Sequence, residues 1–253
     1  MYYQLAQQEF ESYLNGYDRE NDRIKLKIIH TYGVVKQAEE LAGRMHLSAE
    51  DTDLARLIAL LEQLKRYDSF EPGTMDHAAY GVKVLFDEGM IRRFLPNDKW
   101  DSIIYTAIAH HSDYELPEIS DPQTLLHAKL IRDEDKLDNC RVKLVDSTST
   151  FINVSEEELG TQDITQKVYE TVFENKCILS ADRVTQMDYW VSYIVYFFDI
   201  NFKESFDIIA ENDYLNRIID RIPYSNPVTK EQMENIRVYM QNFINSHTNN
   251  QSF

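Results

Sequence analysis

Apolar side chains recur along most of this chain at intervals of three and four, the spacing of one helix face. Ile24, Ile28, Val34, Val35, Ala38, Leu41 and Ala42 predict a helix over 23–45. Ser48, followed three residues later by the acidic Asp51, marks the start of a second helix with the stripe Leu54, Leu57, Ile58, Leu61 and Leu64. Glu71-Pro72-Gly73 interrupts the pattern as a turn. Helices are expected over 76–89 and 99–111, divided at Pro96, and over 124–139 after a loop bracketed by Pro117 and Pro122. The pattern weakens through 146–163, where Ser, Thr and Glu dominate, and resumes over 166–179, 181–200, 202–212 and 214–222. A last helix over 230–246 follows Pro227 and leads into a polar tail, 248–253, expected to fray. The expectation is an all-α chain of about ten helices. No linker divides it, so 1–253 is taken as one domain, with a core over 23–139 and further helices over 140–247 completing the bundle.

Composition narrows the class. An apolar fraction of 43% with 16 Tyr and 12 Phe is far from the composition of a disordered chain. Seven Gly and six Pro are too few for an all-β sandwich with a turn every ten residues. The formal charge of −17 removes any bulk attraction for nucleic acid or an anionic membrane, while leaving room for a local basic pocket that holds one phosphate. Cys140 and Cys177 make neither a disulfide framework nor a zinc-ligand spacing. Residues 1–8 are polar and unlike a secretory signal, and the most apolar window, 189–198, is too short to span a bilayer and is broken by Asp199. A reducing, cytoplasmic setting is the expectation.

Three histidine positions stand out. His30 follows Lys27-Ile28-Ile29, His77 follows Asp76 at a predicted helix start, and Ile108-Ala109-His110-His111 closes a helix. The fourth feature is acidic, Arg132-Asp133-Glu134-Asp135-Lys136-Leu137-Asp138. Each has a plain reading. A single helical His is more often a hydrogen-bonded structural residue than a ligand. His110 and His111 point about 100° apart on a helix and do not readily hold one ion together. The acidic run alone reads as a solvated face with local ion pairs, Lys136 with Asp133 or Asp138. His46, His127 and His247 have no special context.

Taken in order, His30, an apolar helix ending near Leu61, Asp76-His77, His110-His111 and the Asp133–Asp138 run resemble the HD superfamily of metal-dependent phosphohydrolases. Local strings carry the likeness: Ile29-His30-Thr31, Asp76-His77-Ala78 and Asp133-Glu134-Asp135-Lys136-Leu137-Asp138, with Trp190-Val191-Ser192-Tyr193 and Phe198-Asp199-Ile200-Asn201-Phe202 similar to the C-terminal helices of one bacterial branch. The resemblance implies a single HD-domain-like helical bundle and a divalent metal (Mn, Fe, Ni, Mg or Zn). His30 and Asp135 match two of its four ligands. It further implies that His77 and His111 bind a second metal or contact phosphate, and that Lys136 and Arg132 balance the charge of a small phosphorylated molecule or nucleotide. In such proteins the ion lowers the pKa of bound water and neutralises phosphoryl oxygens.

The central motif of that family is missing. Relatives run from the helix holding Leu54–Leu61 directly into His-Asp, usually His-Asp-Ile-Gly-(Arg/Lys)-Phe; here Leu61 is followed by Glu62-Gln63-Leu64-Lys65. In one alignment Glu62 and Gln63 replace the pair, and Glu62 is then a possible third ligand. In the other the six-residue block is deleted. Deletion is favoured, because Glu-Gln-Leu often follows the motif in this branch and Lys65 is a poor occupant of the glycine slot. The leading reading is an HD-type protein whose metal binding is weak or absent and whose hydrolysis is impaired. The rivals are a working phosphohydrolase rebuilt from His30, Glu62, His77, His111 and Asp135, and an unrelated helical ligand-binding or interaction module.

Overall fold

The computed structural model describes residues 2–64 and 77–248, and only the backbone of His77. The Glu71-Pro72-Gly73 turn, Asp76, and the tail beyond Thr248 lie outside the described residues. The chain is all-α: 72% is helical, and no strand occurs among the described residues. Contacts group it into two compact units, Met1–Asp138 and Asn139–Phe253.

The first unit contains α1 (Tyr2–Leu14), α2 (Asp22–Arg44), α3 (Ala49–Glu62), α4 (His77–Val82) continued by a π-helical turn (Lys83–Asp87), α5 (Ile91–Phe94), α6 (Asp101–Ala109) and most of α7 (Pro122–Val145). The predicted start of α3 is built as expected: Ser48 Oγ accepts the Asp51 backbone N–H at 3.0 Å and donates to Asp51 Oδ2 at 2.6 Å. Asn21 Oδ1 caps α2 by accepting the N–H groups of Arg23 and Ile24. α2 and α3 form a hairpin whose register is marked by Arg56 Nε on Glu39 Oε1 at 2.8 Å.

α1 is absent from the sequence expectation. Its Gln- and Glu-rich pattern hides a stripe of four residues, Tyr3, Ala6, Phe10 and Leu14, all buried. It is tied to α3 by Tyr2 N–H on Asp53 Oδ2 (2.8 Å) and to the residue just past the α3 cap by Tyr13 O–H on the Leu64 carbonyl (2.8 Å).

The second unit holds α8 (Thr148–Ile152), α9 (Glu156–Leu159), α10 (Gln166–Val172), α11 (Gln186–Val195), α12 (Lys203–Glu211), α13 (Tyr214–Asp220) and α14 (Pro227–Thr248), with 3₁₀ turns at Ser180–Asp182 and Tyr196–Asp199. Two expected helices are shorter than their apolar patterns. α10 stops at Val172 because the chain turns left-handed at Asn175 (φ 58°). The expected 181–200 helix starts only at Gln186, where Thr185 and Asp188 form a reciprocal capping box. α8 and α9 are short helices inside the stretch that showed no pattern. Gly160 admits a close backbone crossing, since a methyl group there would lie 2.4 Å from the Pro223 carbonyl oxygen. Among the described residues no helix is long and apolar enough to cross a membrane.

Asp188 anchors this unit. Its buried carboxylate accepts the N–H of Thr165 at 2.9 Å on Oδ1, and those of Val184 at 2.9 Å and Thr185 at 3.0 Å on Oδ2. Asp188→Ala leaves three backbone donors without an acceptor, although water reaches part of this corner. We expect a loss of about 2 kcal/mol in urea denaturation, from the usual cost of unmade buried hydrogen bonds. A change below a few tenths would show that the corner rearranges around the gap.

Candidate functional site

α2 and α7 meet through His30. Its Nδ1–H donates to Asp138 Oδ2 at 2.6 Å and its Nε2–H to Asp135 Oδ1 at 3.0 Å. Asp135 and Asp138 stand three residues apart on α7, so both face α2. Burial disfavours a charged ring, but the two carboxylates more than offset it and hold the His30 pKa up at about 9. Asp138 is 0% exposed, whereas the Asp135 side chain is partly open. The Asp138 carboxylate fits only because residue 33 is glycine: a methyl group there would sit 2.0 Å from Asp138 Oδ1.

A second pair lies at the end of α3. Glu62 Oε1 is 2.8 Å from His111 Nε2, with both side chains buried, and His111 Nδ1–H donates to the Ile108 carbonyl at 2.7 Å. Gln63 is fully buried; its amide donates to Glu62 Oε2, while its Oε1 has no hydrogen-bond partner among the described residues. Arg132 links this pair to α7, its Nη1 donating to the carbonyls of His110 at 2.8 Å and His111 at 3.4 Å. Lys136 Nζ donates to the Arg132 carbonyl one turn back at 3.1 Å.

The predicted residues therefore fall into two linked groups in the first unit: His30 with Asp135, and Glu62 with His111. His77 begins α4, and its side chain lies outside the described residues. His110 stands apart, bonded to Asp113 Oδ2 at 2.6 Å near the surface. Sequence reasoning missed the part played by Asp138, which it offered with Asp133 as a partner for Lys136, and gave no part to Gly33. The signal was present in the spacing, since His30 and Gly33 share one face of α2 and Asp135 and Asp138 one face of α7. His127 likewise has a partner, Asp51 Oδ1 at 3.2 Å, and its burial holds its pKa below the ordinary histidine value.

Among the described residues the donor set does not fit a closed metal centre. His30 Nε2 and Asp135 offer two adjacent donors, while Asp138 is committed to the back of the ring. Among the described residues no group of three or more His, Cys, Asp or Glu is arranged to hold a metal ion. A first-row divalent ion held by nitrogen and oxygen donors ordinarily takes three or four protein ligands. What the arrangement does provide is a buried polar seam from α2 through α7 to the ends of α6 and α3.

The chain matches no family model, no curated protein and no solved structure.

Proposed function

We propose that this chain is an HD-type phosphohydrolase-like protein in which the metal site is reduced to His30 and Asp135, so that metal-assisted hydrolysis of phosphate esters or nucleotides is impaired or lost. The observation that carries this reading is the direct His30–Asp135 contact at 3.0 Å, made between the helices that the resemblance requires. The buried positions after Leu61, where that family places His-Asp, hold Glu62 and Gln63 instead. The partner chemistry that remains is a small phosphorylated molecule at this seam, with Lys136 as the half-buried cation beside Asp135.

A second reading has its own support. The Glu62–His111 contact supplies one more carboxylate and imidazole, as a rebuilt site would need. Metal content per chain, measured by mass spectrometry after reloading with Mn, Fe or Ni, separates the two. The first reading expects a value near zero and no chelator-sensitive phosphatase activity. About one firmly held ion per chain, with activity abolished by His30→Ala and by Asp135→Ala, would establish the second reading and end the first.

A further inference from the structure

Glycine is a poor residue for the interior of a long helix, yet Gly33 sits inside the 23-residue α2, one turn beyond His30. The reason is steric and lies on the neighbouring helix: all three terminal atoms of the Asp138 carboxyl group would fall within 2.6 Å of a methyl group at residue 33. Asp138 in turn is fully buried, a costly place for a carboxylate unless a cation faces it. His30 Nδ1 provides that partner at 2.6 Å. With Nδ1 fixed from behind, the ring has one remaining direction for Nε2, toward the partly open Asp135.

We propose that Gly33 and Asp138 act together as a positioning device for His30, in which the missing Cβ makes the notch, the carboxylate fills it, and the carboxylate holds the proton on Nδ1 and so sets the aim of the ring. Asp138 is thus a positioning residue, and Gly33 acts at one remove through it. The inference rests on the reading of His30 as a retained site residue. It does not depend on whether an ion is held, so metal content and ring orientation fail independently.

The test is long-range proton–nitrogen NMR on the full, chelator-treated chain at one fixed pH, with His30 assigned through His30→Gln. In the parent, Nδ1 carries a slowly exchanging, downfield proton. In Asp138→Asn that signal moves toward the position of an exposed histidine and its exchange accelerates by at least about tenfold. Gly33→Ala produces the same change, because the nearest atoms its methyl group meets are those of the Asp138 carboxyl group. Asp135→Asn leaves the Nδ1 signal in place. A purely structural role for Gly33 would lower stability without moving the resonance, and an unchanged Nδ1 signal in folded Gly33→Ala overturns the proposal. Should either variant fail to fold, the parent spectrum decides, because absence of a protected Nδ1 proton there also overturns it.

Discussion

Inserting His-Asp-Ile-Gly-Arg-Phe between Leu61 and Glu62 is expected to raise the metal content from near zero to about one ion per chain, the occupancy of a four-ligand site. The first three residues of the block fall on the positions now held by Glu62, Gln63 and Leu64. α3 ends at Glu62, and Gln63 caps it. The inserted His takes the last helical position, the Asp takes the cap, and the Ile falls where Leu64 is now fully buried. Two donors are thereby added on the helix that packs against the His30 helix, in the register set by Arg56 and Glu39. The displaced Glu62-Gln63-Leu64 moves into the segment that follows. Extending α3 by all six residues would instead carry them about 9 Å along the axis and rotate them about 120°. The helix end at Gln63 makes that extension unnecessary. Glu62 leaves His111 in the process, freeing an imidazole nitrogen toward the new pair. Metal analysis and a chelator-controlled phosphatase screen on parent and insertion variant check this. A folded insertion variant that still holds no ion would show that the end of α3 is not the motif's place.

Helical class and most of the long elements were legible because burial on one face of a long helix leaves a dense periodic record. α2, α3 and α7 bury residues every third or fourth position over many turns, and the Ser48 cap of α3 was visible as a residue pair. The failures share a physical cause. α1 buries only four side chains, and α8 and α9 span five and four residues, too short for a period to accumulate. The overlong expectation for 181–200 arose because apolar residues also fill 3₁₀ turns and extended links, and only the Thr185–Asp188 capping box marks where helix begins.

The site was legible as a set of residue types and not as a set of contacts. His30 and Asp135 were paired on order alone, and they touch. Glu62 and His111 were considered as ligands of a common ion; they lie against each other. Asp138 was offered with Asp133 as a partner for Lys136 because neighbours on one helix are what a sequence displays, whereas it bonds to a residue 108 positions away. Gly33 carries no chemistry of its own, and its meaning appears only when the opposite carboxylate is in place.

Glu134→Gln is expected to make the chain progressively more stable than the parent as pH rises. Glu134 stands next to Asp135 on α7, is 0% exposed, and neither carboxyl oxygen has a hydrogen-bond partner among the described residues. Burial, and then the neighbouring Asp133, push its pKa well above the ordinary carboxylate value of 4.5. The folded chain therefore keeps a proton there that the unfolded chain has already lost. Between about pH 4.5 and the raised folded value the unfolded state binds fewer protons, so stability falls as pH increases. The contribution of neutral Glu134 is fully present below the unfolded value and is lost as pH rises through the folded one. A glutamine of the same shape has no proton to lose. Inside that window the gap between variant and parent widens by up to about 1.4 kcal/mol for each pH unit. Urea denaturation of both chains at pH 4, 5.5, 7 and 8.5 reads the slope directly. Parallel stability curves would mean that Glu134 is already charged and compensated in the folded chain, and that the polar seam holds a counter-charge beside it.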